Sequence, residues 1–539
     1  MKYWLSITLG SVISVAVLWW TSLPLGIPGE WTWDRARIEP DFAWNVCGGT
    51  VAAILMICFV RQGWARLSTF SGRPLQRFET AAWLACLVVA SFSWLWIVQE
   101  ISPARNRLGK APFVLYYASS SGYFTKARYE EPDAARLLAG YETLMKQGDV
   151  LHTGTHPPGL FLAFQAMISV CESSPLLSAT LDQTQPPSVR EAFDVIAANA
   201  RRRPNPRQVL PLDRRVIWLA TLIVMCSASL TVIPLYGLLR QTCPAETAWI
   251  GASLWPALPA VAIFIPKSDT FFPLIGVTIL WLWITAWNRR SLVAGLLAGI
   301  VTWLGLVCSL AFLPVLLAAA LLTIGSGLFE LICDRVSIAA AQQATCELPM
   351  SSRREFDFRR CLCVIAASLG FAVPTWMMWH FAECNLCIVW WLNYHNHAGF
   401  YQQFPRTLWK WLLANPIELS VAAGWPIAIV ALITSWKTLG WNRSGDPGNR
   451  RNIATVAATI VFVWGLLWLS GKNSSEAARL WVVFLPWLIW LASIGLDELA
   501  NKTSNLKHRE RQLLAFLAIQ FMVCLLTVAR VSGFHSDSN

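Results

Sequence analysis

The chain has 539 residues, of which 55% are hydrophobic and only 14% charged, with a formal net charge of +12. A soluble domain carries about 25% charged residues, and apolar runs long enough to cross ~30 Å of hydrocarbon recur along this sequence, which excludes a soluble globular enzyme. The basic excess sits mostly in short gaps between apolar runs, where it reads as a topology signal and not as a nucleic-acid surface.

The first apolar run, 3–20, follows Lys2 and lacks a small-x-small cleavage site at Ser22-Leu23-Pro24-Leu25, so it predicts an uncleaved anchor. Further membrane helices are expected at 46–60, 81–98, 216–239, 246–265, 269–287, 291–309, 310–331, 361–381, 416–435, 453–470, 480–496 and 513–532. The fold class is therefore an all-α, polytopic transmembrane helix bundle of about thirteen helices. It divides into three parts: 1–98, with three membrane helices and an acidic first loop; 99–215, a long loop with juxtamembrane helices; and 216–539, a bundle of about ten helices. Inside the long loop, 157–171 is apolar but short for a crossing, and predicts an interfacial or re-entrant helix. Segment 189–203 predicts an amphipathic surface helix. The 31 Trp are expected at the membrane interface, where one ring edge is apolar and the other wet.

Lysine and arginine set the orientation. With the N-terminus cytoplasmic, the cytoplasmic gaps hold 21 Lys plus Arg and the short outer loops and tail hold 8. Long loops are largely exempt from the bias. The count predicts a plasma (inner) membrane protein whose polar motifs face outward.

Five polar features fall on that outer side. The first loop carries Glu30, Asp34, Glu39 and Asp41. The long loop holds Glu131, the aromatic and hydroxyl-rich stretch 116–124 with Tyr123, and Asp149-Val-Leu-His152-Thr-Gly-Thr-His156-Pro157-Pro158-Gly159. Proline fixes φ and suits a first helical turn, and the residue before it is kept out of α geometry. His156 thus sits at a helix entrance, where free N–H groups favour anions, and imidazole titrates near neutrality. Lys267-Ser268-Asp269 fills a gap of a few residues between two apolar runs, where charge is costly and often functional. Asn393-Tyr394-His395-Asn396-His397 could hold a polar ligand or metal. Cys384-Asn-Leu-Cys387 beside it reads either as a metal or disulfide site or as interfacial thiols. Glu476 and Arg479 lie three residues apart and share a helix face; an arginine at a membrane edge can fork onto a phosphate. No Walker A loop, dinucleotide fingerprint or HExxH motif is present, which argues against ATP-driven transport and zinc proteolysis.

At these residues the chain resembles the GT-C membrane glycosyltransferases, the group of protein O-mannosyltransferases and lipid A aminoarabinose transferases (glycosyltransferase family 39-like). In that group an outer loop with a catalytic acid leads to a His-Pro-Pro or Lys-Pro-Pro-Leu helix entrance. Here Ser121-Gly-Tyr-Phe-Thr-Lys-Ala-Arg128, Gly148-Asp149 and His156-Pro157-Pro158-Gly159 follow that order, Lys267-Ser268-Asp269 resembles a later polar turn, and Glu476-Ala-Ala-Arg479-Leu480 matches a late Glu-x-x-Arg-Leu. One departure stands out: where the group has its acid ahead of the tyrosine, this chain has Ser120-Ser121-Gly122.

The resemblance implies a transferase that moves a sugar from a polyprenyl-phosphate donor to an acceptor lipid, glycan or protein on the outer face. It involves no nucleic acid and no cofactor beyond the lipid-linked donor; a divalent metal is left open. The catalytic candidates are Asp149, His156, Glu131 and Asp34. The substrate-binding candidates are His152, Tyr123, Lys267, Asp269, His395, Glu476 and Arg479. The competing readings are a multi-pass transporter or flippase, which requires ionisable groups lining a path at mid-membrane depth, and a non-catalytic binder of lipid-linked glycans.

Overall fold

The computed structural model describes residues 2–69, 76–151, 153–201, 208–325, 357–439, 447–472, 474–501 and 505–534. The chain is an all-α bundle with one small three-stranded sheet, made of β1 (Leu25–Ile27), β2 (Trp31–Arg35) and β3 (Val531–Ser532). Among the described residues nine helices are long and apolar enough to cross a membrane, from Tyr3–Trp20 to Leu506–Val528. Each coincides with an expected segment.

The remaining expected segments are broken or short. Segment 246–265 divides into Ala245–Leu254, the turn Trp255–Ala257 and Pro259–Ile263, because Pro256 and Pro259 each remove a backbone donor. Leu292–Cys308 and Leu310–Gly325 are shorter apolar helices. The expectation of a single straight span at 416–435 is overturned: Leu408–Ala423 and Trp425–Leu439 meet at 116°. Gly424 between them has φ +84°, left-handed backbone that L side chains rarely adopt, and Pro426 opens the second helix.

Gln520 secures these breaks. Its Nε2 donates to the carbonyl of Ala423 at 3.0 Å and to that of Ala257 at 2.9 Å, so one amide from the last helix serves carbonyls at both interruptions. A Cβ on Gly424 would run into this same amide. Gly424→Ala is therefore expected to destabilise by about 2 kcal/mol, from backbone strain and displaced hydrogen bonds. Combining it with Gln520→Ala should cost less than the sum of the two single changes. Thermal unfolding of the four proteins in one detergent checks both statements.

In the long loop, the expected short apolar helix is Gly159–Ser173, which turns by 104° into Pro175–Thr184. Ser174 caps the second helix by accepting from Leu177 N at 3.3 Å. The expected amphipathic segment is the helix Pro187–Arg201, whose buried stripe is Val189, Ala192, Phe193 and Ile196.

Tryptophan corrects a further expectation. Trp218, Trp249, Trp255, Trp411, Trp481, Trp487 and Trp490 are among the largest fully buried side chains. Several indoles donate to backbone carbonyls inside the bundle. Trp94 reaches Pro256 O at 2.9 Å, Trp255 reaches Ala228 O at 2.7 Å and Trp249 reaches Val60 O at 2.8 Å. An indole N–H that finds a backbone carbonyl suits an apolar interior as well as a wet interface.

Polar contacts gather at the two ends of the bundle. At one end Arg61 meets Glu510, Arg290 meets Asp357, Lys437 meets Glu498, and Arg509 meets Glu246 and Asp497. At the other, β2 of the first loop pairs with β3, with Asp34 opposite Ser532. There Glu30 accepts from Thr407 N and Trp411 Nε1 at 2.9 and 2.7 Å, and Lys267 reaches the long loop. These pairs join gaps, or the ends of spans beside them, that the charge pattern groups together.

Candidate active site

Arg479 is the centre of the second end. It lies in the four-residue helix Ala477–Leu480, just ahead of a long buried span. Its Nη2 donates to Glu476 Oε2 at 2.9 Å, and its Nε stands 3.7 Å from Asp269 Oδ2. That Nε is buried and has no hydrogen-bond partner. The Arg479 side chain is 20% exposed and that of Asp269 15%, so the group is shielded but reachable. Asp269 comes from the turn Ser268–Thr270, which opens a membrane-spanning helix.

Lys267 comes next. It is buried, and its ammonium donates to the carbonyl of Ser120 in the long loop. Burial first, and the charge of Arg479 second, push its pKa from 10.5 down to about 7; Asp269 and Glu476 oppose the shift. Two cations and two carboxylates thus share one small polar volume.

Tyr123 forms the adjoining wall. Gly122 before it has φ +75° and makes the sharp entry to this turn. The buried phenol lies edge-on to His156 and to Phe161, with ring centroids 5.4 and 5.2 Å apart. Burial, and then the negative charge of Asp269, push the hydroxyl well above its usual range, so it stays a neutral donor. His156 is half-buried. Its carbonyl accepts from Tyr141 Oη at 2.7 Å, and its Nδ1 is 3.2 Å from Thr155 Oγ1. The Gly159 that closes this motif sits against another helix: a Cβ there would lie 2.6 Å from Val307 O.

The other expected residues fall elsewhere or do other work. Asp149 accepts from Leu151 N at 2.9 Å and from Thr153 N at 2.7 Å, one on each carboxylate oxygen, so it organises its own loop. Glu131 lies 3.9 Å from Arg136, and its carbonyl accepts from Gln165 Nε2. Asp34 lies in β2 next to Trp33, and successive strand residues point to opposite faces. Trp33 takes the face toward the site; its Nε1 reaches Glu418 Oε1 at 2.8 Å. His152 lies outside the described residues.

The NYHNH cluster is part of the helix Leu386–Gln403. His395 is exposed and contacts Trp391 on its own helix, with Nδ1 3.0 Å from the Trp391 carbonyl. His397, about 200° around the helix, is the histidine near Glu476 and Lys472. Burial first, and Lys472 second, lower its pKa. Asn396 fixes this helix to the loop by donating to Met145 O and Gly154 O, both at 2.9 Å.

Cys384 is buried and Cys387 exposed, and neither is in a disulfide. Among the described residues no group of three or more His, Cys, Asp and Glu side chains is arranged to hold a metal ion. Asp269 and Glu476 face Arg479 instead. The described residues here therefore do not fit a divalent metal centre.

The sequence motifs omitted Glu418, whose carboxylate also reaches this end, accepting from Ala478 N at 3.3 Å. It was legible as an acid within Pro416-Ile-Glu-Leu, a mostly apolar stretch where a charge is a signal in itself.

No family model and no curated protein matches the sequence. Among solved structures, the chain is similar to the oligosaccharyltransferase of Archaeoglobus fulgidus. The AglB complex with an inhibitory peptide and a dolichol-phosphate matches at 11% identity and a TM-score of 0.44, over 86% of this chain and 57% of that one. The form tethered to an acceptor peptide matches at 10% identity and a TM-score of 0.41, over 83% of this chain and 55% of that one. The complex with Zn and sulfate matches at 13% identity and a TM-score of 0.35, over 60% and 42%. The chain spans little more than half the length of the first two.

Proposed function

We propose that this chain is an integral membrane glycosyltransferase that moves a sugar from a polyprenyl-phosphate donor to an acceptor lipid, glycan or protein. The charge bias of the loops favours an active face on the outer side of the plasma membrane. One observation carries the proposal. Arg479, held by Glu476 and facing Asp269, forms with Lys267 a shielded polar cluster at the end of an apolar bundle. Such a pair suits a phosphate whose lipid tail stays between helices.

The chemistry follows from the charges. The acceptor hydroxyl or amine loses its proton to His156 as its oxygen or nitrogen bonds to the sugar's anomeric carbon. The bond from that carbon to the phosphate oxygen breaks, and the electron pair leaves with polyprenyl phosphate. The phosphate thereby gains a full negative charge, which Arg479 and protonated Lys267 offset. Glu476 and Asp269 orient the guanidinium, and Asp149 shapes the loop that presents His156.

The test uses purified protein and a panel of radiolabelled polyprenyl-phosphate sugars offered with lipid, glycan and peptide acceptors. Label should pass to an acceptor, and His156→Ala should slow transfer by about 10²- to 10⁴-fold, the usual worth of a general base. Absence of turnover across the panel overturns the proposal. Lipid flux in proteoliposomes that survives His156→Ala and Arg479→Ala would support the flippase instead.

A further inference from the structure

The helix Leu408–Ala423 turns a row of polar side chains toward the site end. Trp411 Nε1 donates to Glu30 Oε2 at 2.7 Å, at the tip of the first-loop hairpin. Two turns further on, Glu418 Oε1 accepts two hydrogen bonds. One comes from Trp33 Nε1 at 2.8 Å, on β2 of that hairpin. The other comes from Ala478 N at 3.3 Å, the residue immediately before Arg479. The second oxygen, Oε2, is buried without a hydrogen-bond partner, so substrate does not reach it as the site stands.

We propose that Glu418 is a positioning residue for Arg479: with Trp33 it clamps the turn Ala477–Leu480 to the first-loop hairpin and so aims the guanidinium at the donor phosphate. This rests on the donor-site reading given above.

The physical case is geometric. A helix of four residues makes few internal hydrogen bonds, so partners outside it fix its direction. Ser475 leads into it with φ +86°, a left-handed conformation for a residue with a Cβ. Such a conformation persists where the surroundings hold it. Glu418 supplies an anchor from a neighbouring helix, and the hairpin locks Glu418 from the other side. Trp33 is itself held, since its ring packs on Phe264 with centroids 5.2 Å apart. Phe264 O accepts from Lys267 N at 2.8 Å, which links the clamp to the second cation as well.

The experiment has two readouts: equilibrium binding of polyprenyl phosphate alone, and initial rates of sugar transfer. Glu418→Ala should weaken binding and lower kcat/KM by about 30- to 100-fold, the order expected when a binding group is displaced by roughly an ångström. Glu418→Gln keeps an acceptor at Oε1 and should stay within about threefold of wild type, with an unchanged pH profile. In an Arg479→Ala background, Glu418→Ala should cost almost nothing more, because its effect acts through Arg479. Trp33→Phe removes the second anchor while keeping an aromatic ring, and should give a smaller loss in the same direction. It and Glu418→Gln keep the test alive if Glu418→Ala does not fold.

Additive losses in the double variant overturn the inference. So does a Glu418→Gln protein that binds polyprenyl phosphate normally but has lost turnover, which would make Glu418 an acid–base group. If wild-type protein binds polyprenyl phosphate but transfers nothing, the transferase reading fails while the clamp is still decided by binding. If transfer proceeds and Glu418→Ala matches wild type in both readouts, only the clamp fails.

Discussion

Replacing Arg479 by alanine is expected to lower kcat/KM for sugar transfer by about 10³-fold or more, close to 4 kcal/mol of transition-state stabilisation. Two effects combine. The leaving phosphate loses the cation with fixed hydrogen-bond geometry, and Asp269 and Glu476 are left facing one another across an emptied position with no guanidinium between them. Arg479→Lys should retain part of the activity, with a loss of about 10- to 100-fold, because a point charge replaces a planar fork. Initial rates on both variants, with thermal unfolding as the control for folding, check the ordering. A loss below about tenfold in Arg479→Ala would remove this residue from the leaving-group role.

If the proposed donor site is right, Lys267 is expected to make donor recognition depend on pH. Its pKa of about 7, set by burial and by Arg479, means that the ammonium is largely lost above neutrality. A phosphate is held by the charged form. The donor KM should therefore rise as pH climbs past about 7, by up to tenfold per unit, until the bound complex also deprotonates. Lys267→Arg stays charged throughout and should flatten this limb between roughly pH 7 and pH 9. The same shift has a stability consequence of definite sign. Between about 7 and 10.5 the unfolded chain keeps a proton on this lysine that the folded chain has released, so this group makes folding more favourable as pH rises through that window. A donor KM that is flat with pH in the wild type would refute the assignment.

The long spans were legible in the sequence because hydropathy over 20 residues needs no knowledge of neighbours. The breaks were not. Gly424 reads as one more small residue in an apolar run, but its left-handed φ, Pro426 after it and the amide of Gln520, far along the chain, act together where the helix stops. The interior tryptophans differ from expectation for a related reason: a preference for interfaces says nothing about a backbone carbonyl that a distant helix brings within reach. The motif order was visible, whereas the side chains that meet were less so. His395 and His397 are neighbours in sequence but point to opposite faces once their segment is a helix. Asp149 is a candidate base as an acid of the long loop; that its two oxygens accept from backbone amides is visible only in the structure. Glu418 is legible as a lone acid among apolar residues, but its partners, Trp33 and Ala478, are remote in the sequence, so its place at this end is not.

The sheet adds a consequence for how the site is assembled. Trp33 lies on β2, and β2 is completed by β3 at residues 531 and 532. Nearly the whole bundle separates these two strands along the chain. A pairing of that span closes late, since the entropy of the intervening loop must first be offset by the helices packing between them. During synthesis the membrane helices can insert one after another, while β2 waits for the last strand to arrive. The fixing of this end is in this sense a finishing step: it is complete only when the two extremities of the described chain have found each other.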